Sequence, residues 1–104
     1  MKAGRMDRRI TIEEIVESRD SYGAVIKTWA LFATVWAEVR PVRSRELIAS
    51  AKVTAEFDTV FRCRWLDGVL PSMRVVHDGA AYDVTGIAEI GRRDGLEIMG
   101  RRHV

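Results

Sequence analysis

The chain has 104 residues and 11.8 kDa, is 47% hydrophobic and 31% charged, and carries a formal net charge of +2. That length and composition lead to the expectation of one globular domain (1–104) rather than a disordered chain. No apolar run approaches the roughly 20 residues that cross a bilayer as a helix, and no apolar signal core follows the basic start (Lys2, Arg5, Arg8, Arg9), so neither membrane insertion nor export is expected.

In chain order, residues 8–16 put Ile10 and Ile12 on one face of a strand and then slip at Glu13-Glu14 before Ile15, the mark of a bulge. Ser18-Arg19-Asp20-Ser21-Tyr22-Gly23 reads as a hairpin tip leading into a second strand over 25–32. Residues 34–40 alternate Val35, Ala37 and Val39 against Trp36, Glu38 and Arg40, and Pro41 ends the run. Ser44 stands as a helix N-cap before good helix formers, with Leu47, Ile48 and Ala51 at helical spacing. The connection over 41–52 is therefore longer than an ordinary hairpin loop and carries a short helix. The most regular alternation follows: Val53, Ala55, Phe57, Phe61, Cys63 and Trp65 share one face opposite Thr54, Glu56, Asp58, Val60, Arg62 and Arg64. It predicts one strand over 53–65 with a core face and a solvent face. Strands over 74–77 and 81–87 bracket Asp78-Gly79, and another over 96–100 follows the turn 91–95. The expected fold is mainly β, an antiparallel barrel or sandwich, with one long loop carrying a short helix.

The candidates for chemistry are few. Cys63 is the only cysteine, which excludes an internal disulfide and a multi-Cys zinc site, and its place on the apolar face reads as a small buried hydrophobe. His77 precedes a turn and is expected to be exposed, and His103 lies near the C-terminus; the pair has no metal-ligand spacing. Asp58, Asp67, Asp78 and Asp83 are scattered, and Gly79, Gly86, Gly91 and Gly95 form no phosphate loop. No catalytic constellation and no cofactor are expected.

Of 17 basic residues 14 are Arg, and basic residues cluster in the N-terminal stretch (Lys2, Arg5, Arg8, Arg9), at Arg40, Arg43 and Arg45, and at Arg92, Arg93, Arg101 and Arg102. Arg suits interfaces and phosphate contact, although a GC-rich genome gives the same bias. With Trp29, Trp36 and Trp65 interleaved, a nucleic-acid-binding small β-barrel is the alternative reading. Against it, Trp65 falls on the core face and Glu13, Glu14 and Glu17 offset the basic start.

The order of features resembles the head–tail joining (head-closure or stopper) proteins of tailed bacteriophages and prophages. The residues that carry the resemblance are the start Met1-Lys2-Ala3-Gly4-Arg5-Met6-Asp7-Arg8-Arg9-Ile10-Thr11-Ile12, the tip 19–23 leading into Thr28-Trp29, and Ala33-Thr34-Val35-Trp36-Ala37-Glu38-Val39-Arg40-Pro41 before Ser44-Arg45-Glu46-Leu47. Met73-Arg74-Val75-Val76-His77-Asp78-Gly79 and then Tyr82-Asp83-Val84 and Gly86-Ile87 complete the set.

The resemblance implies a small β-barrel whose copies form a ring in the virion connector, assembled in the bacterial cytoplasm. That ring would lie between the portal adaptor and a tail-terminator or tail-side ring protein, closing the channel over packaged DNA. The long connection would project toward the channel, which makes Pro41, Arg43, Ser44, Arg45, Glu46, Leu47 and Lys52 the candidate channel loop. Arg8, Arg9, Arg62 and Arg64 are candidate interface residues, the Arg62/Arg64 face and the Glu13-Glu14 slip guarding strand edges against premature pairing.

Overall fold

The computed structural model describes residues 5–42, the backbone of 52–53, and residues 57–103. Among the described residues seven strands follow one another: β1 (Arg8–Arg19), β2 (Val25–Pro41), β3 (Lys52–Val53), β4 (Thr59–Arg64), β5 (Arg74–His77), β6 (Ala80–Ile90) and β7 (Gly95–Arg102). Every pairing is antiparallel, in the order β3-β6-β5-β1-β2-β4-β7, and a further pairing of β6 with β7 closes six of the strands into a barrel. Closure needs β6 to pair on both edges, and its length permits this. One edge takes β5 at 80–83 and β3 at Gly86 and Ile87, while the other takes β7 along most of its length.

The core is the set of inward residues from all six barrel strands. Ile10, Ile12, Ala37, Phe61, Cys63, Val75, Val84, Leu96 and Ile98 are buried there, and Val69 and Met73 from the β4–β5 connection plug the interior. Phe61 stands edge-on to Tyr82, ring centroids 5.2 Å apart, a favoured aromatic geometry. Gly100 lies beneath that pair; a Cβ there would stand 3.0 Å from the Phe61 ring and 3.2 Å from Cβ of Tyr82.

The β5–β6 hairpin follows from its turn residues. Asp78 and Gly79 both hold positive φ, 51° and 78°, as a two-residue turn of the right twist requires. At the β1–β2 tip, Asp20 accepts hydrogen bonds from the backbone N–H groups of Tyr22 (2.8 Å) and Ala24 (2.9 Å), so the carboxylate organises the turn.

Three expectations change. The single strand over 53–65 is instead two elements, because β3 pairs with β6 whereas β4 lies between β2 and β7. Asp58 takes the bend before β4. Its N–H donates to the Gly100 carbonyl, its own carbonyl accepts from Val42, and its carboxylate accepts from the Thr59 hydroxyl and the Arg102 N–H. The solvent face assigned to β4 is also not solvated throughout, since Val60 is fully buried beside its cross-strand partner Met99. Conversely, the two strands expected over 25–32 and 34–40 are one strand of 17 residues. The slip is real but lies between Ile12 and Glu13 in β1. Ile12 faces Ala33 and Glu13 faces Leu31, so Phe32 is the extra residue, turned in against the core beside Gly68. The short helix expected after Ser44 lies outside the described residues.

Candidate interaction surfaces

The bulge divides the β1–β2 hairpin into two parts. Below it, β1 pairs with β5 at residues 11–13 and β2 pairs with β4 at 37–41, so both strands belong to the barrel wall. Above it, residues 14–19 and 25–30 pair only with each other, through six residue pairs. At about 3.4 Å per residue this ribbon projects about 20 Å, which accounts for extents of 49 × 26 × 26 Å.

This arm is apolar and exposed on both faces. Ile15, Trp29, Leu31 and Val25 share one face, with Leu31 63% exposed, while Val16 and Ile26 lie on the other. Its root is pinned by a cluster of three residues. Arg74 Nε donates to Glu13 Oε1 at 2.7 Å across the β1–β5 pair, and the same guanidinium lies 4.3 Å from the centre of the Trp29 ring. Both contacts favour a planar, delocalised cation. Lower on the same face, Arg9 stacks at 5.0 Å over Trp36, its cross-strand partner.

The candidate residues from the sequence fall in different places. Pro41 is exposed at the end of β2, at the end of the barrel away from the arm tip, and the backbone of Lys52 pairs with Ile87. Arg43, Ser44, Arg45, Glu46 and Leu47 lie outside the described residues. Arg8 is exposed, 4.0 Å from Asp7. Arg64 is exposed, and Arg62 is held 2.6 Å from Glu97 Oε1, whose side chain is only 9% exposed. Because β4 has a neighbour on each side, the expectation that Arg62 and Arg64 guard a free edge is corrected. Among the described residues, the arm leaves both of its strand edges unpaired.

Among the possible reactive groups, Cys63 is fully buried, and burial pushes its thiol up to about 11, the opposite of an activated nucleophile. His77 is not in an exposed turn. It ends β5, half-buried, its ring edge-on to Phe61 at 6.5 Å. His103 Nδ1 lies 3.0 Å from Asp83 Oδ2 at the surface. Trp65 is half-buried against the core; its Nε1 donates to Asp67 Oδ1 at 2.9 Å and Arg93 lies over its ring. Among the described residues, no three His, Cys, Asp or Glu side chains gather as a metal site would require.

The arm was missed by sequence reasoning, although a signal was present. Ile15-Val16 and Val25-Ile26 are adjacent apolar pairs on either side of one turn, and a strand with a single buried face carries no such pairs.

Fold and surfaces together define a small closed antiparallel barrel bearing one projecting β-ribbon that is exposed on both faces. The family model of the phage head completion protein matches residues 1–102, and the chain belongs to that family of structural proteins. No curated protein matches the chain. Among solved structures it is similar to a protein of Shigella flexneri 2a determined in solution, at 23% identity and a TM-score of 0.76, covering 100% of this chain and 98% of that one. It is also similar to a chain in the virion of a native gene transfer agent particle, at 21% identity and a TM-score of 0.65, covering 96% of each. These two likenesses concern the fold.

Proposed function

We propose that this structural protein of the phage head–tail region forms a ring between the portal adaptor and the tail, and that the ring closes the DNA exit channel after packaging. The observation that carries the reading is the head completion match over residues 1–102. Two features of the barrel are in keeping with it. The arm leaves one end, while the chain enters the long connection after Pro41 at the other, so two ends are available for two different neighbours. The connection returns to the wall at Lys52, which anchors both of its ends on the barrel.

In this reading the residues 41–52 reach the channel, with Arg43 and Arg45 giving weak phosphate contact tempered by Glu46. Strong contact would hold DNA that must later move. Arg8, Arg9 and Arg64 are available to neighbours, whereas Arg62 is committed to Glu97. Assembly takes place in the bacterial cytoplasm, around heads already filled.

The test is electron microscopy of particles from producing cells that lack the gene. DNA-containing heads that leak, beside unattached tails, are expected. Normal tailed particles would overturn the proposal.

A further inference from the structure

Closing a barrel removes its strand edges, yet the arm keeps both of its own among the described residues. Above the bulge, residues 14–19 of β1 and residues 25–31 of β2 have no third strand beside them among the described residues. They form opposite edges of one ribbon whose side chains are exposed on both faces. An isolated two-stranded ribbon is at best marginally stable in water, and an apolar one with free edges is a template for further strands.

The two edges also differ in charge. Over residues 14–19 β1 carries Glu14, Glu17 and Arg19, a net charge of −1, whereas over 25–31 β2 carries Lys27 and no acid. Within one copy Lys27 Nζ already lies 3.8 Å from Glu17 Oε1, its cross-strand partner.

We propose that the arm docks on the arm of a second copy of this chain, the β2 edge of one copy pairing with the β1 edge of the next. The inference rests on the ring reading for its symmetry. Rotation about an axis parallel to the arms keeps every β1 pointing one way and every β2 the other. The new pairing is then antiparallel, like the one inside each hairpin. The same rotation keeps the arms level, so Lys27 of one copy meets Glu17 of the next. Each Lys27 then lies between two carboxylates, and successive arms form a continuous crown of strands on the barrel ring. The interface is heterologous and closes only when the ring closes.

The experiment is sedimentation velocity on the full chain from micromolar to millimolar concentration. Wild type is expected to associate, and Lys27→Glu and Glu17→Lys should each raise the concentration needed by about tenfold, because like charges then face each other at every contact. An equimolar mixture of the two variants should recover association to within about twofold of wild type, since alternating copies restore opposite charges between chains. The pair inside each chain stays mismatched in the mixture, so a purely intramolecular role for Glu17 and Lys27 predicts no recovery. A third variant replaces residues 15–29 with Asn-Gly. If its barrel melts cooperatively and it still associates like wild type, the proposal is overturned; if it does not fold, the charge variants decide.

A wild type that stays monomeric throughout, charge variants that associate as well as wild type, or a mixture no better than its components would each overturn arm pairing. A monomeric wild type would assign the arm to a different virion protein. None of these results touches the ring reading, which the gene-deletion particles test separately.

Discussion

The same two strands build the barrel wall and the arm, yet the two regions obey different physics. Below the bulge, Ile10 and Ile12 are fully buried; above it, Ile15 and Val16, on the same strand, are each at least 40% exposed. A closed wall pairs its backbone on both edges and fills its interior. A ribbon leaves both edges and much of its apolar surface to be covered by something else. The comparison teaches that apolar residues in one strand carry different information: burial and stability of the chain in the wall, and in the arm an exposed surface that the proposed pairing would cover.

The largest effect that sharpens this contrast comes from paired substitutions within β1. Ile12→Ala should cost about 2–5 kcal/mol in urea unfolding, for lost burial plus a cavity. Ile15→Ala should cost less than about 1 kcal/mol, since its side chain is 44% exposed. Equal costs would show that the arm packs on the barrel.

An effect of about 2–3 kcal/mol is expected for Arg62→Met, which leaves the Glu97 carboxylate unpaired inside the wall. Replacing Arg62 and Glu97 together by Met should recover most of that loss. Among the described residues Arg62 Nε and Glu97 Oε2 have no hydrogen-bond partner, and the pair meets at Arg62 Nη2 and Glu97 Oε1.

A pH titration separates wall from arm at a smaller scale. The Cys63 thiol is raised from 9.0 to about 11, so its neutral form is favoured in the fold. That stability is fully present below pH 9 and is lost as pH rises toward about 11, by about 1 kcal/mol at pH 10. Cys63→Ser should remove this part of the alkaline slope in chemical unfolding. Thiol reagents at pH 8 should react with Cys63 only as the barrel opens.

The smallest change is expected at the root of the arm. Arg74→Ala removes the Glu13 ion pair and the cover on Trp29, for about 1 kcal/mol or less. Hydrogen exchange should quicken at residues 14–19 and 25–30 while β4 and β7 keep their protection. Faster exchange across the whole wall would mean that the arm and barrel form one cooperative unit.

Much of the wall was legible because period-two alternation maps directly onto a half-buried strand, as at Ile10, Ile12, Phe61 and Cys63. Asp78-Gly79 was legible for a local reason: few dipeptides accept two consecutive positive φ angles. The extent of residues 53–65 was not, because alternation continues across a bend if the residues on each side have the right parity. The break at Asp58 comes from hydrogen bonds to Val42, Gly100 and Arg102, all distant in sequence. Of the candidate surfaces, Arg8, Arg9 and Arg64 lie exposed, whereas Arg62 is drawn into a pair with Glu97, 35 residues away, which no local pattern announces.

By itself the sequence determined the β class, most strand positions, the turn chemistry, the burial of Cys63 and, through ordered motifs, the family. These are local matters of side-chain period, φ preference and composition. Only the tertiary structure decided that six strands close on themselves, that β4 lies inside the wall, and that the β1–β2 hairpin outruns its neighbours. Those outcomes depend on which edges pair and where pairing stops, and edge pairing is settled by register between segments far apart in the chain.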